Sequence, residues 1–503
     1  MTDIIRKSTD AVVVGGGAAG IIASYKMAQM GIKVVMLDKG SSMLDSDFSK
    51  ISGYIGCDTE FQKKKGITIA SKKTIFEYLT NWAKGDVNPK LINALLSKTS
   101  EAIDMFAEMG LTYSFYSDWV DSDKKEIYDS DLTWAPLHLI NEYGPDRTEP
   151  VTNALINAGV DVMYNCAGTH LIMKDGKVAG VEAVLNGSEP VIIEAKAAFL
   201  ATGGFGNNKK MMHERFNGAP LVNMGSPNNT GDGIRMAMEA GAVLEQSMGL
   251  ACNEICGTTD RHEGSMFDEE YRMYNDNLGF ALYGGLGVDS CGERFINEEH
   301  MAVNPLASNG IPALSVGHMY MIMDGEYYDG CCEKGIYKYL GCPDWDYGSH
   351  LFVPVLDRAK DQLDEAIREG WACKADSLKE ISDYFGLTNL EETVKKYNAM
   401  CETGVDEEFG KSQIFMRPIK EGCGYYAFEY AGGFWCTMGG VKTDATLRAL
   451  NEENEAIPGI YIGGMEMGSA FGRTYYDISA TGSGLSIASG IIGAEAIAEY
   501  IGQ

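Results

Sequence analysis

Residues 11–38 read AVVVGGGAAGIIASYKMAQMGIKVVMLD, and this stretch constrains the fold more than any other. A short apolar run closed by glycine predicts a buried strand over 11–16. Helical apolar spacing with small residues first covers 18–30, and GIKVVMLDKG reads as a second strand. Gly15, Gly17 and Gly20 then occupy the first turn of a β-α-β unit, with Asp38 ending its second strand. Gly15 permits the tight turn, Gly17 lets a pyrophosphate reach the backbone, and Gly20 lets helix and sheet approach. The helix start at Ala18 and Ala19 turns its free N–H groups toward phosphate, while Asp38, followed by Lys39, accepts from a ribose hydroxyl. The expectation is a Rossmann-like α/β domain that binds a dinucleotide.

Glycine accounts for 60 of 503 residues, or about 12% against roughly 7% in average proteins. Its later clusters mark other places where backbone comes close to a ligand. AAFLATGGFG (197–206) is a strand running into Thr202, Gly203 and Gly204, and Thr230-Gly231-Asp232-Gly233 opens an amphipathic helix. GIYIGGMEMG (459–468) ends in Gly463 and Gly464 with Glu466 beyond, and Thr481-Gly482-Ser483-Gly484-Leu485 starts a last helix. Residues 168–184 read as a hairpin around Asp175-Gly176. A site drawn from both chain ends suits a long ligand. Two helix starts can face two charged centres, the pyrophosphate at 17–20 and an anionic reduced flavin ring at 482–485.

Composition excludes other classes. With 45% apolar and 22% charged residues the chain is globular, and its length allows three domains, or two if one is assembled from separated segments. A net charge of −29 repels nucleic acid and anionic lipid. The start MTDIIRKSTDAVVV lacks a signal-peptide pattern, and no run approaches ~18 uninterrupted apolar residues, so a cytoplasmic protein without membrane insertion is expected. The twelve cysteines contain no C-x-x-C pair, so reduced thiols and no metal site are expected.

Taken in chain order, VVVGGGAAG…VVMLDK, LATGGFG, GERFINE at 292–298, TMGGVKTD at 437–444 and GIYIGGMEMGS at 459–469 resemble the FAD-dependent fumarate reductase/3-ketosteroid Δ1-dehydrogenase superfamily, of the FAD-binding type 2 family. The resemblance implies non-covalent FAD in a domain split into 1–247 and 437–503, around an inserted α+β cap of 248–436 that includes a helical segment near 356–402. It implies that Ser52 and Gly53 lie where similar proteins wrap the flavin. The active site is expected at the flavin ring between domain and cap.

The chain departs from both branches of that superfamily. The arginine proton donor of the fumarate branch would fall at Ala302, and no arginine follows Arg294 before Arg358. The two substrate histidines of that branch are also missing, so a dicarboxylate would lack its cationic clamp, a penalty of several kcal/mol in a desolvated pocket. From the steroid branch, Gly472-Arg473-Thr474-Tyr475 is similar to the loop that bears a tyrosine, and Ser479 stands where the oxyanion-binding glycine would be, its amide still able to donate.

These features lead to an FAD-dependent reductase, or the reverse dehydrogenase, acting on a C=C bond conjugated to a carbonyl. Tyr475 and Tyr476 are the candidate proton donors, Arg473 a charge stabiliser or relay, and His300 a second acid. Tyr116, Trp119, Tyr283, Trp435 and Ser479 would line a pocket for an aromatic or polycyclic substrate. No second nucleotide fold is visible, so a separate electron partner is implied: reduced flavin, flavodoxin, ferredoxin or a reductase. A fumarate-reductase-like enzyme, an amine or hydroxy-acid oxidase, and an electron-transfer flavoprotein subunit remain as alternatives.

Overall fold

The computed structural model describes residues 4–119, 125–251, 254–257, 285–299, 315–334, 339, 359–473 and 475–502. Tyr283, His300 and Ala302, which carry expectations from the sequence, lie outside them.

The apolar runs AVVV and VVML pair in parallel, Ala11 opposite Val34 through Val14 opposite Leu37. Both are buried along their whole length, as strands covered on two faces must be. They sit inside a six-stranded sheet ordered Arg448–Leu450, Ala456–Ile462, Ala197–Leu200, Ala11–Val14, Val34–Leu37, Asp161–Met163. Every pairing is parallel except that of Arg448–Leu450, which runs antiparallel. The order requires segments from both ends of the chain. Ala198–Leu200 takes Ile460–Ile462 on one side and, through its neighbour register, Val12–Val14 on the other.

The hairpin forms as Cys166–Lys174 and Lys177–Leu185, with Asp175 at φ 50° and Gly176 at φ 72°, the pair of positive angles that a two-residue turn matching strand twist needs. Its sheet is completed by Glu189–Glu194 and, in parallel with that strand, Ile5–Ser8. The final helix, Thr481–Gly502, is apolar on nearly every side because it lies in the core against Ala18–Gln29. The two backbones approach so closely at Gly490 that a Cβ there would lie 2.6 Å from the Ala19 carbonyl oxygen. By length and composition this helix could cross a membrane, but 67% of its most apolar stretch is buried inside the fold.

The chain divides into two compact units. The first is Met1–Met212, Ser226–Ala251 and Cys436–Gln503, and the second His213–Gly225 and Cys252–Trp435. The limits differ from the sequence expectation of 247 and 437 chiefly in giving His213–Gly225 to the second unit. There Leu221–Asn223 adds in parallel to Gly432–Phe434, a long-range pairing without a local signal. The second unit is built on the ten-residue strand Tyr425–Phe434, which pairs with Met319–Asp324, Glu254–Gly257 and Ala372–Ala375. The helical segment expected near 356–402 is three helices, Ala359–Glu369, Leu378–Phe385 and Leu390–Thr403, interrupted by that last strand. Arg294 ties this unit internally. It is bonded to Glu298 and Asp406, all three nearly solvent-free, which makes the GERFINE run a structural anchor.

Candidate active site: the flavin cradle

At the first turn the chain geometry leaves little choice of residue. Gly15 adopts φ 110°, and its N–H donates to the Leu37 carbonyl at 2.8 Å, while a Cβ at Gly20 would meet the Gly15 oxygen at 1.9 Å. Gly17 caps the helix Ala18–Gln29 without any side-chain hydrogen bond, and the first turn holds no acidic residue. Its N–H groups therefore remain for an external anion. Asp38 accepts from Gly16 N at 2.6 Å and Gly40 N at 2.7 Å, which fixes the carboxylate at the strand end. Burial raises its pKa despite those two bonds.

A second node joins three distant segments. The Glu466 carboxylate, fully buried, accepts from Thr202 N at 2.6 Å and Thr202 Oγ1 at 2.9 Å, and Gly233 N donates to the same Thr202 hydroxyl at 2.8 Å. Desolvation outweighs both threonine bonds and pushes Glu466 up to about 8. A side chain at Gly233 would collide with that carboxylate, a Cβ lying 2.5 Å from Oε2. Lys39 reaches Thr230 Oγ1 at 2.5 Å and Asp232 Oδ2 at 2.7 Å, linking the Asp38 strand end to the helix Asp232–Glu239. Gly464 N donates to Ser489 Oγ at 2.9 Å, which ties the 459–466 turn to the last helix. Gly203 lies against Asn229 and Gly204 against Thr437, so both turn positions are closely packed.

The segment after Asp38 is held in ways its sequence gave little reason to expect. Asp47 accepts from Ser226 N and Asn229 Nδ2, both at 2.6 Å, and burial raises its pKa. Arg147, with no exposed surface, donates to the carbonyls of Phe48 at 2.9 Å, Ile51 at 2.7 Å and Glu142 at 2.8 Å. Ser52 O accepts from Ile140 N at 2.9 Å, and Gly53 O accepts from Ser483 Oγ at 2.5 Å, which brings the start of the last helix to this segment. The S-x-x-N-T-G-D-G run at 226–233 is the one local signal that could have pointed to Asn229.

The candidate donors separate sharply. Tyr475 is half-buried, and its hydroxyl oxygen accepts from Gly482 N at 3.0 Å, at the start of the helix Thr481–Gly502. Burial raises its pKa above the ordinary phenol value, so it carries its proton at neutral pH and has it free to donate. Tyr476 does not serve as expected: it is 1% exposed and donates to the Ala470 carbonyl at 3.0 Å, a core contact. Arg473 is also a correction, since its side chain is 75% exposed with Asp86 as its ion partner at 3.9 Å. Trp119 is 64% exposed and donates to Ser114 Oγ, so it lines no buried pocket here. Trp435 packs in the second unit against Val222, Met224 and Ala431. Tyr116 is buried and stacks on Trp134 at 4.6 Å. The Ser479 amide, expected to be available to an oxyanion, is taken by the Thr133 carbonyl at 3.0 Å, leaving only the hydroxyl. Leu485 is core, fully buried.

The FAD binding domain family's sequence profile matches residues 10–477. The chain belongs to this family. FAD is its cofactor, and the open helix start at Gly17, the strand-end Asp38 and the Thr202–Glu466 node are the residues that fit it. The chain is a flavin-dependent oxidoreductase. It is 25% identical, over 94% of its length and 93% of the relative's, to a vinyl phenol reductase of Lactiplantibacillus plantarum. It is 26% identical to a fumarate reductase (cytochrome) of Shewanella frigidimarina over 92% of this chain and 73% of that one. In fold it matches the 3-ketosteroid Δ1-dehydrogenase of Sterolibacterium denitrificans, with a TM-score of 0.70 and 18% identity over 99% of this chain and all of that one.

Proposed function

We propose that the protein reduces, or in reverse forms, a C=C bond conjugated to a carbonyl or aromatic system, in a substrate with a flat apolar body. Bound FAD supplies or takes up the hydride. The chain's own task is the proton, and Tyr475 is the residue proposed for it. Accepting from Gly482 N keeps the phenol oxygen fixed at a helix start, and the positive end of that helix favours the negative charge the oxygen gains as the proton leaves. That single hydrogen bond carries the reading.

The relatives include enzymes named for vinyl phenol and for fumarate, which supports the C=C class while leaving the substrate open. The absence of the arginine and histidines that would grip two carboxylates favours the aromatic side, as does the stack of Tyr116 on Trp134. Electrons would come from, or go to, a separate partner: reduced flavin, flavodoxin, ferredoxin or a reductase for reduction, and a quinone or soluble acceptor for dehydrogenation. The test is to photoreduce the FAD-loaded protein without oxygen and follow reoxidation by a panel of arylalkenes, enones and fumarate. Rapid reoxidation by an arylalkene or enone is expected, and competent turnover confined to fumarate would overturn the aromatic assignment.

A further inference from the structure

Among the described residues, two buried hydrogen-bond donors beside the Tyr475 turn have no acceptor. Ser479 Oγ and Trp134 Nε1 are both shielded from solvent and unpartnered; Ser479 is 8% exposed and Trp134 3%. They belong to one piece of structure, because Ser479 N donates to the carbonyl of Thr133, the residue before Trp134. Neighbouring groups of the same type behave otherwise. In the run that follows, Ser483 donates to Gly53 O, Ser486 to Gly482 O and Ser489 to Ser486 O. The indoles of Trp82, Trp119 and Trp371 all find acceptors, at Tyr475 O, Ser114 Oγ and Glu369 Oε2.

An indole N–H can only donate, and a serine hydroxyl with no carbonyl in reach has a hydrogen to give. Leaving such groups unpaired in a folded interior is unfavourable enough that each needs a reason. The missing partner is an acceptor, and the side chains packed around Trp134 are aromatic: Tyr116 lies on Trp134 at 4.6 Å and 23°, and tilts against Tyr128 at 4.7 Å.

We propose that Trp134 Nε1 and Ser479 Oγ together bind an oxygen of the substrate, a phenol, phenolate or ring carbonyl on an aromatic body. This deepens the reading of Tyr475 as proton donor and rests on it, since Tyr475 stands four residues before Ser479 on the same turn. It names the substrate class as oxygen-bearing arylalkenes. It also assigns Trp134 a specificity role beyond packing. A site built around buried donors rejects an isostere lacking the acceptor far more strongly than an apolar pocket rejects a changed methylene, because the donors are then left unpaired.

The experiment is equilibrium binding, without turnover. 4-Vinylphenol and styrene, which differ by the one oxygen, are titrated into the oxidised FAD-loaded full chain and followed by the flavin absorbance. The wild-type chain is expected to bind 4-vinylphenol at least about 100-fold more tightly than styrene. Trp134→Phe and Ser479→Ala are each expected to cut that ratio roughly tenfold, with styrene affinity, FAD retention and the melting midpoint of the loaded protein unchanged. Equal affinity for the two probes, no binding of either, or equal weakening of both by the variants overturns the proposal. So does loss of FAD from either variant, which would make the cofactor the acceptor. If the ratio holds but the photoreduced enzyme does not turn over bound 4-vinylphenol, the binding assignment stands and the reductase reading falls.

Discussion

Tyr475 and Tyr476 are adjacent, chemically identical and oppositely disposed. One rests its oxygen on the Gly482 amide at a helix start, and the other gives its proton to the Ala470 carbonyl inside the core. Replacing Tyr475 with Phe is therefore expected to lower the rate of arylalkene or enone reduction about 100-fold or more in stopped-flow reoxidation, with FAD still bound. Tyr476→Phe should act on stability alone, by about 1 kcal/mol for one lost hydrogen bond. Glu466 gives a pH prediction. Its carboxyl titrates near 8 in the fold against 4.5 in an unfolded chain, so between those values the folded state holds the extra proton. The stability this contributes is fully present below pH 4.5 and is lost as pH rises through 8. Denaturant unfolding of the flavin-free protein should show Glu466→Gln gaining on wild type by up to about 1 kcal/mol per pH unit across that window. Parallel curves would mean that burial does not hold the acid neutral.

At the scale of elements, the cradle is a set of helix starts and turns braced by buried groups from other segments. Arg147 is the main brace, a buried cation whose bonds end on three carbonyls, two of them in the 48–51 segment that leads to Gly53 and on to Ser483. Arg147→Met removes the charge but orphans those acceptors, so a loss of about 3 kcal/mol or more and weaker FAD retention are expected from urea unfolding and flavin-release measurements. Full retention of both would show that the segment holds itself. The helix Lys72–Trp82 acts similarly on the Tyr475 turn, with Trp82 donating to Tyr475 O at 3.1 Å and Tyr78 to Asp477 at 3.3 Å. No periodicity in 72–82 marks those two side chains, because their partners lie some 390 residues away.

At the scale of the molecule, the surface field follows from the net charge of −29. An electron partner that docks through basic residues would be steered by that field, so its association rate should fall steeply as salt is raised from about 0.01 to 1 M, where the screening length shrinks from about 30 to 3 Å. A rate indifferent to salt in stopped-flow mixing would point instead to a small neutral carrier.

What was readable in advance was short-range. The glycines at 15, 17 and 20, Asp38, the Asp175-Gly176 turn and the apolar strands follow from local sterics and periodicity, which act over a few residues, and they were enough to expect a Rossmann-like domain that binds a dinucleotide; FAD itself came from the resemblance of the ordered motifs to a family. The candidate catalytic group was legible only as a string, GRTYY, in which nothing distinguishes one tyrosine from the next. Which hydroxyl meets a helix start is a contact over seven residues, Tyr475 to Gly482, but whether the Ser479 amide stays free and where a buried carboxylate finds its donors are settled by contacts between residues hundreds of positions apart. Such contacts exist only once the sheet has drawn both ends of the chain together, because hydrogen-bond availability and desolvation are properties of the packed interior.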